Sequence, residues 1–99
     1  MPIATIVYDS RVKHTIISVG VAAVKLPTTP LAFRKSVFIQ NLSTSVIYLG
    51  ESDISTTGER RGIVLPSQYD NVTLDIGDGV DLYGIVASGT ADVVIVETK

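Results

Sequence analysis

Ninety-nine residues fit one domain, and ten acids against eight bases leave a net charge of −2, a poor balance for binding nucleic acid, which draws on a basic face. The absence of cysteine excludes disulfides, thiolate metal sites and cysteine nucleophiles, and one histidine with no tryptophan leaves little catalytic equipment. No apolar run approaches the roughly 20 residues of a membrane-spanning helix, and the N-terminus lacks the pattern of a secretory signal, so the expectation is no membrane partner and no export.

Valine, isoleucine and threonine supply 35 of the 99 residues, and such β-branched side chains favour strands over helices. The class predicted is all-β. In chain order, residues 3–8 read as a first strand ended by Asp9-Ser10, and residues 12–26 as one long bent strand whose only break is Gly20. Pro27 and Pro30 make 26–31 a loop, because each fixes its own φ and pushes the preceding residue towards extended backbone. Residues 36–42 and 46–50 read as a hairpin turned by Ser43-Thr44-Ser45. The polar stretch 51–62, with Ile54 its only large apolar residue, is an exposed excursion.

Ile63, Val64 and Leu65 follow, then a Pro66-Ser67 turn and a clean alternation. Val72, Leu74 and Ile76 fall on one face with Thr73 and Asp75 on the other, the mark of a half-buried antiparallel strand. Gly77-Asp78-Gly79 and Ser88-Gly89-Thr90 then bound strands over 80–87 and 91–97. Seven or eight short strands at this spacing predict a single antiparallel β-sandwich filling the chain, jelly-roll or Greek-key-like, with residues 1–13 as an N-terminal arm or edge strand.

The last strand is apolar on both faces: Val93 and Ile95 point one way, Val94 and Val96 the other. Val46-Ile47-Tyr48-Leu49 behaves likewise. Two layers bury one face of each sheet, so either loops cover the surplus or it meets another subunit. A mean hydropathy of +0.39 favours the subunit interface.

Other residues invite chemistry, weakly. Asp75, Asp78 and Asp81 surround two glycines, but without the spacing of a calcium loop, and aspartate beside glycine is ordinary turn chemistry. His14 has no second histidine for a metal site and no Gly-x-Ser-x-Gly elbow to serve. Glu51, Asp53 and Glu59 read as solvated loop acids rather than a carboxylate pair for sugar hydrolysis. Arg60-Arg61 is a basic pair in the polar excursion, suited either to bidentate docking on an acidic partner or to a solvated loop tip. Asn41-Leu42-Ser43 and Asn71-Val72-Thr73 match the glycosylation pattern, but no secretory signal accompanies them. No cofactor or metal site is predicted.

The run Lys35-Ser36-Val37-Phe38-Ile39-Gln40-Asn41-Leu42-Ser43 leads into Ile47-Tyr48-Leu49-Gly50-Glu51-Ser52-Asp53. Leu74-Asp75-Ile76-Gly77 follows, then Leu82-Tyr83-Gly84-Ile85-Val86-Ala87 and Ala91-Asp92-Val93. Across residues 15–97 this resembles a group of small β-sandwich virion proteins of tailed bacteriophages. The segment 1–13 and Glu59-Arg60-Arg61 depart from that pattern. The resemblance implies a non-enzymatic structural protein, assembled in the bacterial cytoplasm and located in the virion. The leading expectation is a decoration (cement) protein on the major capsid protein lattice, or on another virion protein, and homo-oligomeric, with a trimer favoured. The alternative is a receptor- or carbohydrate-binding module of a fibre or tail appendage, with Tyr69 and Tyr83 as the aromatics to test. The residues expected to touch partners are Ile3, Ile6 and Tyr8 in an arm that adds a strand to a neighbour, together with Arg60, Arg61, Tyr69, Val94 and Val96.

Overall fold

The computed structural model describes residues 11–99, apart from the side chains of Glu59 and Arg60. The strand expected over 3–8, with Ile3, Ile6 and Tyr8, lies outside the described residues. Eight strands are described: β1 (Val12–Val19), β2 (Val24–Lys25), β3 (Ser36–Asn41), β4 (Ile47–Gly50), β5 (Ile63–Leu65), β6 (Asn71–Leu74), β7 (Tyr83–Val86) and β8 (Ala91–Thr98). They form two antiparallel four-stranded sheets in the orders β1-β8-β3-β6 and β2-β7-β4-β5.

Each strand of the first half pairs with its mirror in the second: β1 with β8, β2 with β7, β3 with β6 and β4 with β5. The β3–β8 and β4–β7 ladders complete the two sheets. The chain is therefore one long hairpin rolled up so that its rungs alternate between layers, the eight-stranded jelly roll. This topology corrects two local expectations. Residues 36–50 do not form a hairpin, because β3 and β4 belong to opposite sheets. Residues 12–26 are not one strand either: the chain crosses between sheets at residues 20–23, where the Gly20 carbonyl accepts the Val86 amide at 3.0 Å. Among the described residues, β4 and β5 alone are consecutive strands of one sheet, joined by the polar excursion 51–62.

Alternation along each strand sets the core. Ile39 of β3 lies between Ile95 of β8 and Val72 of β6, and Val37 between Glu97 and Leu74; both belong to one core cluster with Ile47, Leu49, Leu65 and Val86 of the other sheet. Full burial of each such side chain stabilises the fold by about 1.5–3 kcal/mol. Gly84 makes room within this layer, since a Cβ there would lie 2.7 Å from Cδ1 of buried Leu26.

The polar excursion is anchored at its root. Ile54 is buried against Gly50, where a Cβ would overlap its Cγ2. Gly62 returns the chain at φ 64°, and a Cβ there would overlap the Leu49 carbonyl oxygen. A short 3-10 turn, Gly58–Arg61, lies between these two points.

Polar keystones close the two ends of the sandwich. At one end, buried Asn41 donates from Nδ2 to the carbonyls of Ser45 (2.7 Å) and Leu65 (3.0 Å), while its Oδ1 accepts the Ser43 amide (2.8 Å). One side chain thus ties β3 to β5 across the layers and shapes the β3–β4 arch. At the other end, Arg34 Nη1 lies 2.9 Å from Glu97 Oε2, with both side chains buried. Arg34 also donates to the carbonyls of Gly77 (3.1 Å) and Val80 (2.8 Å), and Glu97 Oε2 accepts the Leu31 amide (2.8 Å). Two loops are thereby locked to the end of β8.

Candidate functional site

The outer face of the β1-β8-β3-β6 sheet carries the surplus apolar surface. Pairing places Val12 beside Thr98 and Ser36; His14 beside Val96, Phe38 and Thr73; and Ile16 beside Val94, Gln40 and Asn71. Ile16, Val94, Val96 and Phe38 therefore form a continuous apolar band across three strands. Its middle is half-buried, but Ile16 is 62% and Val12 69% exposed at the edge strand β1. Polar residues frame it: Ser36 and Thr98, whose hydroxyls meet at 2.5 Å, at one end, and Ser18 beside Asp92 at the other. Val94 and Val96 thus sit on the outward face, opposite Val93 and Ile95.

The β2-β7-β4-β5 sheet shows a smaller apolar row, with Tyr48 between Val64 and Ile85. Beside Tyr48 is an open depression of about 300 Å³, lined also by Thr44, Ser45, Val46, Ala87 and Ser88. Its lining is uncharged and rich in hydroxyls, which suits a neutral polar ligand rather than a charged one.

The other singled-out residues disperse. Tyr69 is 60% exposed at φ 72°, in the turn before β6, where its amide donates to the Asn41 carbonyl at 2.6 Å. Tyr83 opens β7 beside Gly50 and Lys25. That pairing lies three residues along the sheet from the Ile47–Val86 pair next to Asn41's arch, about 10 Å away along the strands. Tyr69 thus stands in the turn before β6 of one sheet and Tyr83 on β7 of the other. Arg61 is exposed and folds its Nε onto the Gly58 carbonyl at 2.9 Å.

The three aspartates separate as well. Asp78 accepts the Phe33 amide at 3.0 Å, Asp81 pairs with Lys25 at 3.2 Å, and Asp75 is exposed just past the end of β6. Among the described residues no group of three or more histidine, aspartate or glutamate side chains is placed to hold a metal ion. His14 lies on the apolar face opposite Val96, away from any acid paired with it in the sheet. Glu51 and Asp53 are exposed in the excursion.

Sequence reading overlooked the other end of the sandwich. There Phe33 is 77% exposed at φ 61°, and Lys99 Nζ lies 5.7 Å from its ring centroid. The only hint was the Phe33-Arg34-Lys35 run itself, which places an aromatic among bases just before a strand. Compared with family models, curated proteins and solved structures, the chain matches none.

Proposed function

We propose that this chain is a non-enzymatic structural protein of a tailed-phage virion, a decoration protein seated on the major capsid protein lattice. It self-associates through the outer face of the β1-β8-β3-β6 sheet. The observation that carries the self-association is the apolar band from Ile16 through Val94 and Val96 to Phe38, open to solvent at β1. Exposed contiguous apolar surface of this kind marks protein contacts. Among the described residues, the eight-residue strand β1 lies at the sheet edge, and it contains no proline, features that favour strand-to-strand joining.

The virion assignment draws on the resemblance of residues 15–97, and the rolled-up sandwich suits it. A decoration protein needs a rigid body and repeated modest contacts, which a symmetric lattice multiplies into durable attachment. A ring of three copies presents each contact three times.

A second reading, a carbohydrate-binding module of a fibre or appendage, draws on the hydroxyl-lined depression beside Tyr48. Antibody labelling of intact phage particles from the source culture separates the two. Dense labelling over heads is the expected result. Labelling confined to tail tips favours the second reading, and particles without label overturn both.

A further inference from the structure

We infer that the end of the sandwich built from Phe33, Arg11, Lys35 and Lys99 is a docking foot for an acidic polypeptide segment that also carries an apolar side chain. This rests on the geometry of that end and is independent of the virion assignment.

Three bases converge there on neighbouring strand ends. Arg11 and Lys99 exchange both backbone hydrogen bonds, at 3.2 and 3.0 Å, and so stand directly opposite each other. The Lys35 amide bonds to the Thr98 carbonyl at 2.7 Å, which brings Lys35 alongside them from β3's side. Like charges facing each other across strands oppose folding, so the row favours an external anion.

The other bases described with their side chains are occupied. Arg34 is buried on Glu97, Lys25 pairs with Asp81, and Lys13 and Arg61 donate to the carbonyls of Thr29 and Gly58. Arg11, Lys35 and Lys99 have no acidic side-chain partner among the described residues, in a chain whose net charge is −2. The nearby acid, Asp78, directs its Oδ2 to the Phe33 amide.

Phe33 supplies the apolar half. A phenylalanine at positive φ is uncommon and unfavourable, yet here the backbone is fixed on both sides of the residue. Asp78 holds the Phe33 amide, and Arg34 next along the chain is locked to Glu97, Gly77 and Val80. The ring is exposed with Lys99 Nζ over it, and Val80 (51%) is also exposed at this end. A preorganised aromatic among unpaired cations fits an anchor residue ringed by carboxylates. Protein is favoured over nucleic acid because a single aromatic and three bases on an otherwise acidic chain make neither a stacking track nor a broad phosphate-binding face.

The test is a titration of the isotope-labelled full chain with a peptide of alternating glutamate and leucine, followed by amide resonances. Glutamine–leucine peptide, oligothymidine and phosphatidylserine vesicles serve as comparisons. Saturable shifts are expected at residues 11–12, 33–35 and 98–99, weakening with salt and absent with the glutamine peptide. Phe33→Gly relieves the backbone conformation, so it should hold or raise the melting temperature while weakening peptide binding about tenfold or more. Lys35→Glu should weaken it comparably with the fold unchanged. Three outcomes overturn the inference: no saturable shift at millimolar peptide, wild-type affinity retained in either variant, or tighter binding of the oligonucleotide or vesicles at the same residues.

Discussion

Arg34 and Glu97 form a 2.9 Å ion pair with almost no solvent exposure on either side chain, at one end of a sandwich whose core cluster is aliphatic. Such a pair is worth little against a well-packed apolar replacement, but removing one partner strands the other charge. Here the stranding is compounded. Without Arg34 the Val80 carbonyl loses its side-chain donor and the Gly77 carbonyl keeps only the Val80 amide, and without Glu97 the Leu31 amide loses its acceptor. Arg34→Met and Glu97→Leu should each lower stability by about 3–5 kcal/mol. The double variant should lose clearly less than the sum of the two. Urea denaturation of all four proteins checks this, and strictly additive losses would show that the charges do not depend on each other.

Asn41 plays the corresponding part at the opposite end, but as a neutral group. Its amide faces two carbonyl oxygens and its own oxygen faces an amide, so each side of the side chain has a fixed polarity. Asn41→Ala leaves buried groups unpaired and should cost about 2–4 kcal/mol. Asn41→Asp is nearly isosteric but cannot donate to the Ser45 and Leu65 carbonyls when ionised, so it should not rescue. Chemical denaturation of the two variants decides. An aspartate variant as stable as the wild type would show that the donor role is dispensable.

Two glycines of the polar excursion share a left-handed backbone but not their surroundings. Gly58 (φ 72°) has open space where a Cβ would go, whereas at Gly62 (φ 64°) the Cβ would run into the Leu49 carbonyl. Gly58→Ala should therefore cost only the conformational term, about 1–2 kcal/mol. Gly62→Ala should cost substantially more and loosen the Ile54 anchor. Thermal unfolding of the two variants checks this ordering, and equal losses would refute it.

These ends and anchors show what a linear reading captures. Alternation put Val72 and Leu74 on one face and separated Val93 and Ile95 from Val94 and Val96, as the strands do, because side-chain period is a local property of a strand. The class and the two-layer form followed from the same residues. The partner of each strand did not. Ser43-Thr44-Ser45 reads as a hairpin turn, but with Asn41 bonded to both Ser43 and Ser45 it becomes an arch between sheets. In a rolled hairpin the hydrogen-bonded neighbours are far apart in the chain, as Val12 and Thr98 are. Local turn signals carry no information about that distance.

The candidate surfaces divide in the same way. Val94 and Val96 were legible as surplus apolar residues, but their company of Ile16 and Phe38 depends on β1 and β3 flanking β8. The cationic end was not legible, since Arg11, Lys35 and Lys99 are separated in sequence and meet only through the ladders.

The most direct measurement is the solution mass by light scattering coupled to size exclusion, for the wild type and for the double variant Ile16→Lys with Val94→Thr. Both positions lie on the outward face, so the variant should keep its far-ultraviolet spectrum and core stability. Self-association through the β1-β8-β3-β6 face predicts a wild-type mass near three times the 10.5 kDa chain and a variant reduced to the single-chain mass. A wild type that remains monomeric at high concentration, or a variant whose mass is unchanged, would contradict the assignment of that face to assembly.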